Sequence, residues 1–393
     1  MTSVVIRPSE IARDSASVDA NQALRAGRIG RVIRPFVAAD VPGVGQLHRT
    51  VFREGAAVPG RTSEGYERWL REVFVDGPYP ADRLDSLVCE DHGEIVGFLG
   101  VVPVHMRLDG RPLRAACCTQ FAVHPGHRGL AGVQLIRRHM AGPQDLSFSD
   151  ESEEGALRLW EWAGASRIPL ASLHFTRPLR PGALVLSLLR QRPALARVAR
   201  ILAPAVTFAD ALLERLPGSQ FRRAEPSARG EALTAADIEA ELPSFVARRG
   251  PSVSYPPGER ALAWRLARVS SYAKRGPLRK TIVRGTHGET LGWYIAYFPR
   301  GGTGEVLQVI ATPPTIEAVL ARLIYDAGRA GVVALNGRVD GALIQAYSDA
   351  YCVFSMRGPW TMVHARDKAI VARFHSGEAV LSRLEGEWCA RFE

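Results

Sequence analysis

Residues 117–140, CCTQFAVHPGHRGLAGVQLIRRHM, decide the fold of this chain. Apolar residues up to Val123 predict a strand, Pro125 and Gly126 end it, and the apolar spacing after Gly129 predicts a helix. The first amides of a helix have no partner within it, and with the helix dipole they favour an anion such as phosphate. Gly129 allows close approach because it has no Cβ. The stretch therefore predicts an anion-binding turn between a strand and a helix.

Side chains beside this turn add hydrogen-bond donors. His127 and Arg128 stand within it, where each can donate to an anion. The spacing of His124 and His127 is also compatible with a metal site, but no carboxylate or cysteine follows nearby to complete one. We therefore expect ligand contact or solvent exposure for both histidines and no metal.

The same residues resemble the GNAT superfamily of N-acyltransferases, where a strand, V-x-P, a (Q/R)-x-x-G-x-(G/A) turn and a helix bind acetyl-CoA. Val123, Pro125, Gly129 and Ala131 match that pattern. The resemblance implies that the strand contacts pantetheine and polarises the thioester carbonyl through a backbone amide, while the turn holds the pyrophosphate. The cofactor-binding residues it implies are Phe121, Ala122, Val123, Gly126, His127, Arg128, Gly129, Leu130, Ala131 and Gly132.

A second fragment carries the resemblance further along the chain. Residues 153–165 are similar to the family's N-x-x-A-x-x-L-Y-E-K-x-G-F helix, and two positions of the combined pattern differ. Gly126 occupies the first Q/R position of the turn, and Trp160 stands where the family often has a tyrosine that protonates the departing thiolate. Indole has no transferable acid proton near neutral pH. The matching positions are Ala156, Leu159, Glu161 and Gly164.

The base that accepts a proton from the acceptor amine is less clearly marked. Thr119 and Gln120 lie on the strand that faces the acetyl group by resemblance, but neither side chain is a strong base. Asp150 and Glu151 follow the next predicted strand, where the sheet opens in GNAT folds, and could relay a proton through water. The alternative for this acidic run is a solvated loop and helix N-terminus, where negative charge is favoured anyway.

Composition limits the classes of partner and compartment. The formal net charge is +10, but the basic residues are scattered arginines apart from three lysines, so we expect no nucleic-acid partner. Five cysteines form no C-x-x-C pair and no even disulfide framework, which favours a reduced, cytoplasmic protein. Residues 1–30 are expected to be a polar flexible tail without a signal peptide, and no apolar run is long enough to span a membrane.

The order of predicted elements suggests an α/β (α+β) protein with tandem GNAT-like domains, each a mixed sheet flanked by helices. Residues 31–180 carry the βααβββα order and the acetyl-CoA turn, ending in a short strand at 146–149, a helix at 153–163 and a strand near 169–176. Residues 230–393 repeat the pattern, but Pro313 and Pro314 replace the glycine-rich turn and remove its donors. We expect this second domain to lack a CoA site.

Residues 181–229 separate the two predicted domains. Leucines interrupted by arginines and prolines predict two or three short amphipathic helices. The part from Ala183 to Leu216 could lie on an anionic membrane surface, or form a helical bridge packed between the domains. Any membrane contact is expected to be peripheral.

Three functions remain open at this level. The first is an acetyl-CoA-dependent N-acyltransferase that moves an acyl group directly to an amine, such as an amino sugar, an amino acid or a polysaccharide precursor. The second is a non-catalytic module that binds acyl-CoA or a partner. The third is an aminoacyl transferase, because that group also pairs two GNAT-like domains, although the CoA turn argues against it.

Overall fold

The computed structural model describes residues 30–52, 63–79, 84–190, 192–222, 224–247, 249–253 and 260–392, so the predicted tail at 1–30 lies almost entirely outside it. Its strands form two mixed sheets. They are β1 (Arg31–Pro35), β2 (Leu87–Asp91), β3 (Glu94–Leu108), β4 (Arg111–Val123), β5 (Leu146–Ser152), β6 (Ser166–Arg167), β7 (His174–Pro178), β8 (Arg229–Ala232), β9 (Ser252–Val253), β10 (Leu278–Arg284), β11 (Thr290–Tyr297), β12 (Thr303–Ala311), β13 (Ala334–Arg338), β14 (Val353–Ser355) and β15 (Trp360–Ala365).

Helices cover the faces of both sheets. They are α1 (Val41–Phe52), α2 (Ser63–Phe74), α3 (Leu130–Met140), α4 (Glu154–Trp162), α5 (Pro181–Arg190), α6 (Ala196–Leu213), α7 (Ala235–Val246), α8 (Arg260–Ser270), α9 (Ile316–Arg329), α10 (Ile344–Asp349) and α11 (Lys368–His375). A short 3-10 helix, Glu387–Ala390, lies near the end of the chain.

The first sheet has the order β1-β2-β3-β4-β5-β15-β6, with β9 paired to β3. Its first four strands are antiparallel neighbours, and β5 then joins β4 in parallel after the crossover through α3. The turn glycines Gly93 and Gly110, which join β2 to β3 and β3 to β4, both have positive φ, as such tight turns require. The predicted βααβββα order and the mixed α/β fold class are confirmed.

The second sheet has the order β14-β7-β13-β12-β11-β10-β8. It repeats the arrangement of the first: antiparallel β10, β11 and β12, a crossover through α9, and β13 parallel to β12. The glycine-rich segment 301–304 lies in the hairpin between the antiparallel strands β11 and β12. The chain therefore contains two tandem units of the same architecture.

The two units exchange a strand. Strand β7 pairs with β13 and β14 in the second sheet, whereas β15 pairs with β5 and β6 in the first. The strand expected near 169–176 therefore does not close the first sheet. Alternating apolar residues specify that a strand forms but not which edge it joins, because any edge offers the same backbone donors and acceptors.

A common core joins the two sheets. Phe98 and Phe148 of the first sheet and Trp293 of the second belong to one buried cluster, which also includes Trp388 from the end of the chain. Because the two units share this core, they pack as one body and are not separate domains joined by a linker. No helix in the described part of the chain combines the length and apolar character needed to cross a bilayer.

Helices α5 and α6 form an antiparallel hairpin that follows β7. Asp210 in α6 accepts hydrogen bonds from the backbone amides of Gly182 and Ala183, at 2.9 and 2.8 Å, and so caps α5. A Cβ on Gly182 would come within 2.4 Å of Val206, so glycine is needed for this close approach. Helix α6 packs mainly on α5, and the helical bridge between the domains remains a prediction.

Candidate active site where the first sheet opens

Strands β4 and β5 separate partway along the first sheet. Their parallel pairing runs from Ala115 to Cys117 and ends where Cys117 faces Phe148. Beyond that point β5 keeps only β15 as a partner, and residues 118–123 of β4 keep only β3. The edge of β4 that faces β5 thus offers backbone groups with no strand partner.

A bulge marks the same part of β4. Gly100 faces Thr119 and Phe98 faces Ala122, so two residues of β4 oppose one residue of β3. The φ angle of Gln120 is +52°, which places this residue in the left-handed region. A bulge re-aims the backbone locally, at the point where the strands separate.

The predicted anion-binding turn follows directly. Gly129 has φ +96° and precedes α3, and a Cβ there would meet no atom within 4 Å. The Val133 amide donates to the Gly129 carbonyl. Within the described residues, the amides of Leu130, Ala131 and Gly132 donate no hydrogen bond. These amides and the N-terminal end of an 11-residue helix form an open site for an anion.

The two histidines of the turn have separate roles. His124 Nδ1 accepts a hydrogen bond from the Gly126 amide at 3.2 Å and so closes the turn. His127 Nδ1 lies 3.3 Å from Asp91, which also binds Arg31. Arg128 beside them is exposed. The residues predicted to hold the cofactor therefore lie together at one end of β4, although their contact with CoA remains a prediction.

The other side of the gap is occupied by the end of the chain. The Glu387 carboxyl accepts hydrogen bonds from Ser149 Oγ at 2.6 Å and from the Glu151 amide at 3.0 Å. The Glu387 amide in turn donates to Asp150 Oδ1 at 2.7 Å. The 3-10 helix that carries Glu387 contacts both β4 and β5. A carboxyl group from a distant part of the sequence thus sits where the two strands part.

Glu387 has the protonation behaviour of a general base. Desolvation, followed by the nearby negative charge of Asp150, raises its pKa to about 7, against the opposing hydrogen bonds from Ser149 and the Glu151 amide. The residue as a whole is partly exposed. The buried Thr119 hydroxyl lies near this carboxyl and also opposes the rise in its pKa. A carboxyl with a pKa near neutral can both accept and return a proton.

Asp150 and Glu151 lie within β5 rather than in a solvated loop, which contradicts that alternative interpretation of the acidic run. The Asp150 side chain is 0% exposed and pairs with Arg338 at 3.0 Å. Burial pushes the pKa of Glu151 upward, but Arg383, Arg391 and Arg338 more than offset this and hold it below its usual range. Both carboxylates are committed to arginines, so the geometry favours a positioning role for them, and their predicted acid–base role remains a prediction.

This ion cluster gives a stability prediction. Replacing Arg338 by alanine leaves Asp150 buried without its cation, and we expect the free energy of unfolding to fall by about 3–5 kcal/mol. Urea unfolding followed by circular dichroism measures the change. Arg373→Ala removes an arginine from an exposed pair with Glu378 and serves as the control, with the midpoint expected to stay in place. Equal effects of the two substitutions would contradict a structural role for the buried cluster.

Cys118 and His139 form a second polar group on the opposite face of β4. The thiol lies 3.1 Å from His139 Nε2, which is also 2.9 Å from Ser147 Oγ. Burial raises the pKa of the Cys118 thiol well above its usual value and lowers that of His139 to about 4. Both groups are therefore neutral near pH 7, and an activated thiolate that could form an acyl-enzyme is not favoured.

Trp160 is buried in an apolar cluster with Cys118, Leu157 and Met362. Its position on α4 thus provides packing rather than an acid for the leaving thiolate. Among the residues that the structure describes, no group of three or more His, Cys, Asp and Glu side chains is arranged to hold a metal ion.

The second sheet has an equivalent gap that the chain itself fills. Pairing between β12 and β13 ends where Val306 faces Gly337, and the Arg383 amide then donates to the Leu307 carbonyl at 3.0 Å. A cavity of about 60 Å³ remains there. The amides of Thr312 and Ile316, on either side of the Pro313-Pro314 pair, are both used in local hydrogen bonds. Within the described residues, the turn with unused amides therefore accompanies the strand gap only at the first sheet.

Comparison with known proteins agrees with this geometry. Residues 32–142 match the family model described as an acetyltransferase (GNAT) domain. Solved structures similar to this chain include a GCN5-related N-acetyltransferase from Anabaena variabilis (TM-score 0.54, 12% identity, 85% of this chain and 72% of that chain). Another is a conserved protein from Enterococcus faecalis described as a probable N-acyltransferase (TM-score 0.52, 12% identity, 85% and 72%). No curated protein matches the chain.

The comparisons agree on a GNAT-type fold. At 12% identity the structural likeness establishes the fold, and the family model adds the relationship for the first sheet and its turn. Residues 32–142 thus match a GNAT domain model, and the second sheet repeats the architecture of the first behind it.

Proposed function

We propose that this protein is an acetyl-CoA-dependent N-acyltransferase that moves an acyl group directly to the amine of a small molecule or polysaccharide precursor. The observation that carries the proposal is the Glu387 carboxyl, whose pKa is raised to about 7 in the gap between β4 and β5. The anion-binding turn lies at the end of the same strand β4. The proposed proton acceptor and the proposed site for the acyl donor thus lie at the same opening of the sheet.

The residues of β4 and the turn suit acyl-CoA. The free amides before Val133 and the open space at Gly129 would hold the pyrophosphate. The unpaired edge of β4 would hydrogen-bond the pantetheine amides, as a neighbouring strand does. An amide of the bulged segment near Phe121 is available to stabilise negative charge on the thioester oxygen.

Glu387 would accept the proton of the acceptor amine. The amine nitrogen then attacks the thioester carbonyl, a C–N bond forms and the C–S bond breaks. The products are an amide and CoA, and water protonates the thiolate because Trp160 provides no acid. Direct transfer is favoured because neutral Cys118 is poorly suited to hold the acyl group.

One observation favours a second function, a non-catalytic acyl-CoA-binding module. Trp160 takes the place of the family's proton-donating tyrosine and is buried in packing. Such a module would bind acetyl-CoA at the turn without forming an amide.

Product formation separates the two functions. We expect incubation of the protein with isotopically labelled acetyl-CoA and a panel of amino sugars, amino acids and polyamines to give a labelled amide in mass spectra, with release of an equal amount of CoA. The same incubation with a turn variant that no longer binds acetyl-CoA is the control. Tight acetyl-CoA binding with no labelled product from any amine class would favour the binding module, and absence of binding would contradict both.

A further inference from the structure

Helix α6 has an exposed apolar face that points away from the rest of the protein. Its inner face, which includes Ala199 and Asp210, is buried toward α5. On the opposite side Ile201 is 78% exposed and Phe208, two turns further on, is 73% exposed. Leu212 extends the same stripe at 50% exposure. We call the stripe formed by Ile201, Phe208 and Leu212 the outer face of α6.

Positive charge surrounds this outer face. Arg197 lies one turn before Ile201, and Arg215 follows just beyond Leu212. Both are on the same side of the helix as the stripe. Arg200 flanks it. All three arginines are exposed, and none forms an ion pair with another described residue. The outer face is therefore apolar in the middle and cationic at its ends.

Negative charge is kept away from the outer face. The acidic residues of the hairpin are Asp210, which caps α5 from the buried side, and Glu214, which pairs with Arg180 at 3.2 Å. The neighbouring helix α5 adds Val185 and Leu188, each 55% exposed, and the exposed Arg190. The surface of the hairpin thus combines apolar side chains with unpaired cations, the pattern of a helix that lies in a membrane interface.

We propose that the α5–α6 hairpin docks this protein on an anionic membrane surface, with Ile201, Phe208 and Leu212 inserted among the lipids and Arg197, Arg200 and Arg215 on the anionic headgroups. Helix α6 is about 27 Å long and would lie in the plane of the interface. Charge argues against a second copy of this chain as the partner of the outer face of α6, because a twofold contact through this face would bring the two sets of unpaired arginines together. An anionic bilayer instead neutralises them.

Vesicle co-sedimentation of the full chain tests the proposal. We expect the protein to sediment with vesicles of phosphatidylcholine and phosphatidylglycerol but not with phosphatidylcholine alone, and the binding to weaken as salt rises. The double substitution Ile201→Glu and Phe208→Glu should weaken binding to the anionic vesicles at least about tenfold, and Arg197→Gln with Arg215→Gln should weaken it and reduce its dependence on salt. Because these side chains are exposed, the variants should keep the native circular dichroism spectrum.

Val353→Glu is the matched control, since Val353 is 61% exposed but lies on β14, outside the hairpin. It should bind vesicles like the native chain. Light scattering of the native chain and all variants measures whether they self-associate. Equal binding to both kinds of vesicle, no binding to either, or a concentration-dependent dimer that the Ile201 and Phe208 substitutions abolish without any effect on vesicle binding would each overturn the proposal.

Discussion

Replacing Glu387 by glutamine should lower kcat/KM for amide formation by about 10²–10⁴-fold while acetyl-CoA binding is retained. Glutamine preserves the size of the side chain and can still contact Ser149, but it cannot accept the proton of the amine. Binding is expected to persist because the turn before α3 belongs to a different part of the site. Thiol release from acetyl-CoA measures the rate once an acceptor has been found, and calorimetry measures the binding.

The pH profile separates a base from a merely structural side chain. Because the carboxylate is the active form and the pKa of Glu387 is raised to about 7, kcat/KM of the native protein should rise tenfold per pH unit below about 7 and level off above it. The glutamine variant should lose this ascending limb. Glu378→Gln, which changes an exposed carboxylate of the same C-terminal region, should keep both the rate and the limb. An unchanged limb in Glu387→Gln would assign the titration to another group.

Replacing Gly129 by glutamate should weaken acetyl-CoA binding at least about 100-fold. The new side chain would occupy the open space in front of the free amides and place negative charge against the pyrophosphate. Calorimetry with acetyl-CoA measures the dissociation constant directly and needs no acceptor.

Gly110→Glu provides the control for backbone strain. Gly110 also has positive φ, +81°, and open space at its Cβ position, so Gly110→Glu likewise places a side chain at a positive-φ position without a clash. It lies at the far end of β4, roughly 40 Å from Val123 along the strand. Gly110→Glu should therefore bind acetyl-CoA as the native chain does. If both variants lose binding equally, strain rather than the site explains the loss, and the turn is not where acetyl-CoA binds.

Local sequence pattern was sufficient for the elements and for the turn. The strand ending at Val123, the break at Pro125 and the helix after Gly129 are all set by residues within a few positions of each other, so they can be predicted from sequence alone. The hairpin turns at Gly93 and Gly110 and the repeated order of the second unit follow from the same kind of signal.

Long-range contacts could not be predicted in this way. Glu387 meets Ser149 across 238 positions, and the sequence around it has no motif that indicates a carboxyl group of unusual pKa. Asp150 and Glu151 were predicted near the opening of the sheet, but their arginine partners come from β13 and the end of the chain. The pKa of each carboxyl depends on these neighbours, so chemistry at the site is set by tertiary structure.

The exchange of β7 and β15 has a consequence for how the protein is made. The first sheet keeps an open edge at β5 until β15 has been synthesised, more than 200 residues later, and Glu387 follows β15. A nascent chain that has not yet reached β15 can therefore form the turn predicted to hold acetyl-CoA, but cannot yet assemble the proposed base. If Glu387 has the role proposed here, the growing chain binds the donor before it can transfer anything, and the ability to transfer appears only when synthesis reaches the last residues of the site.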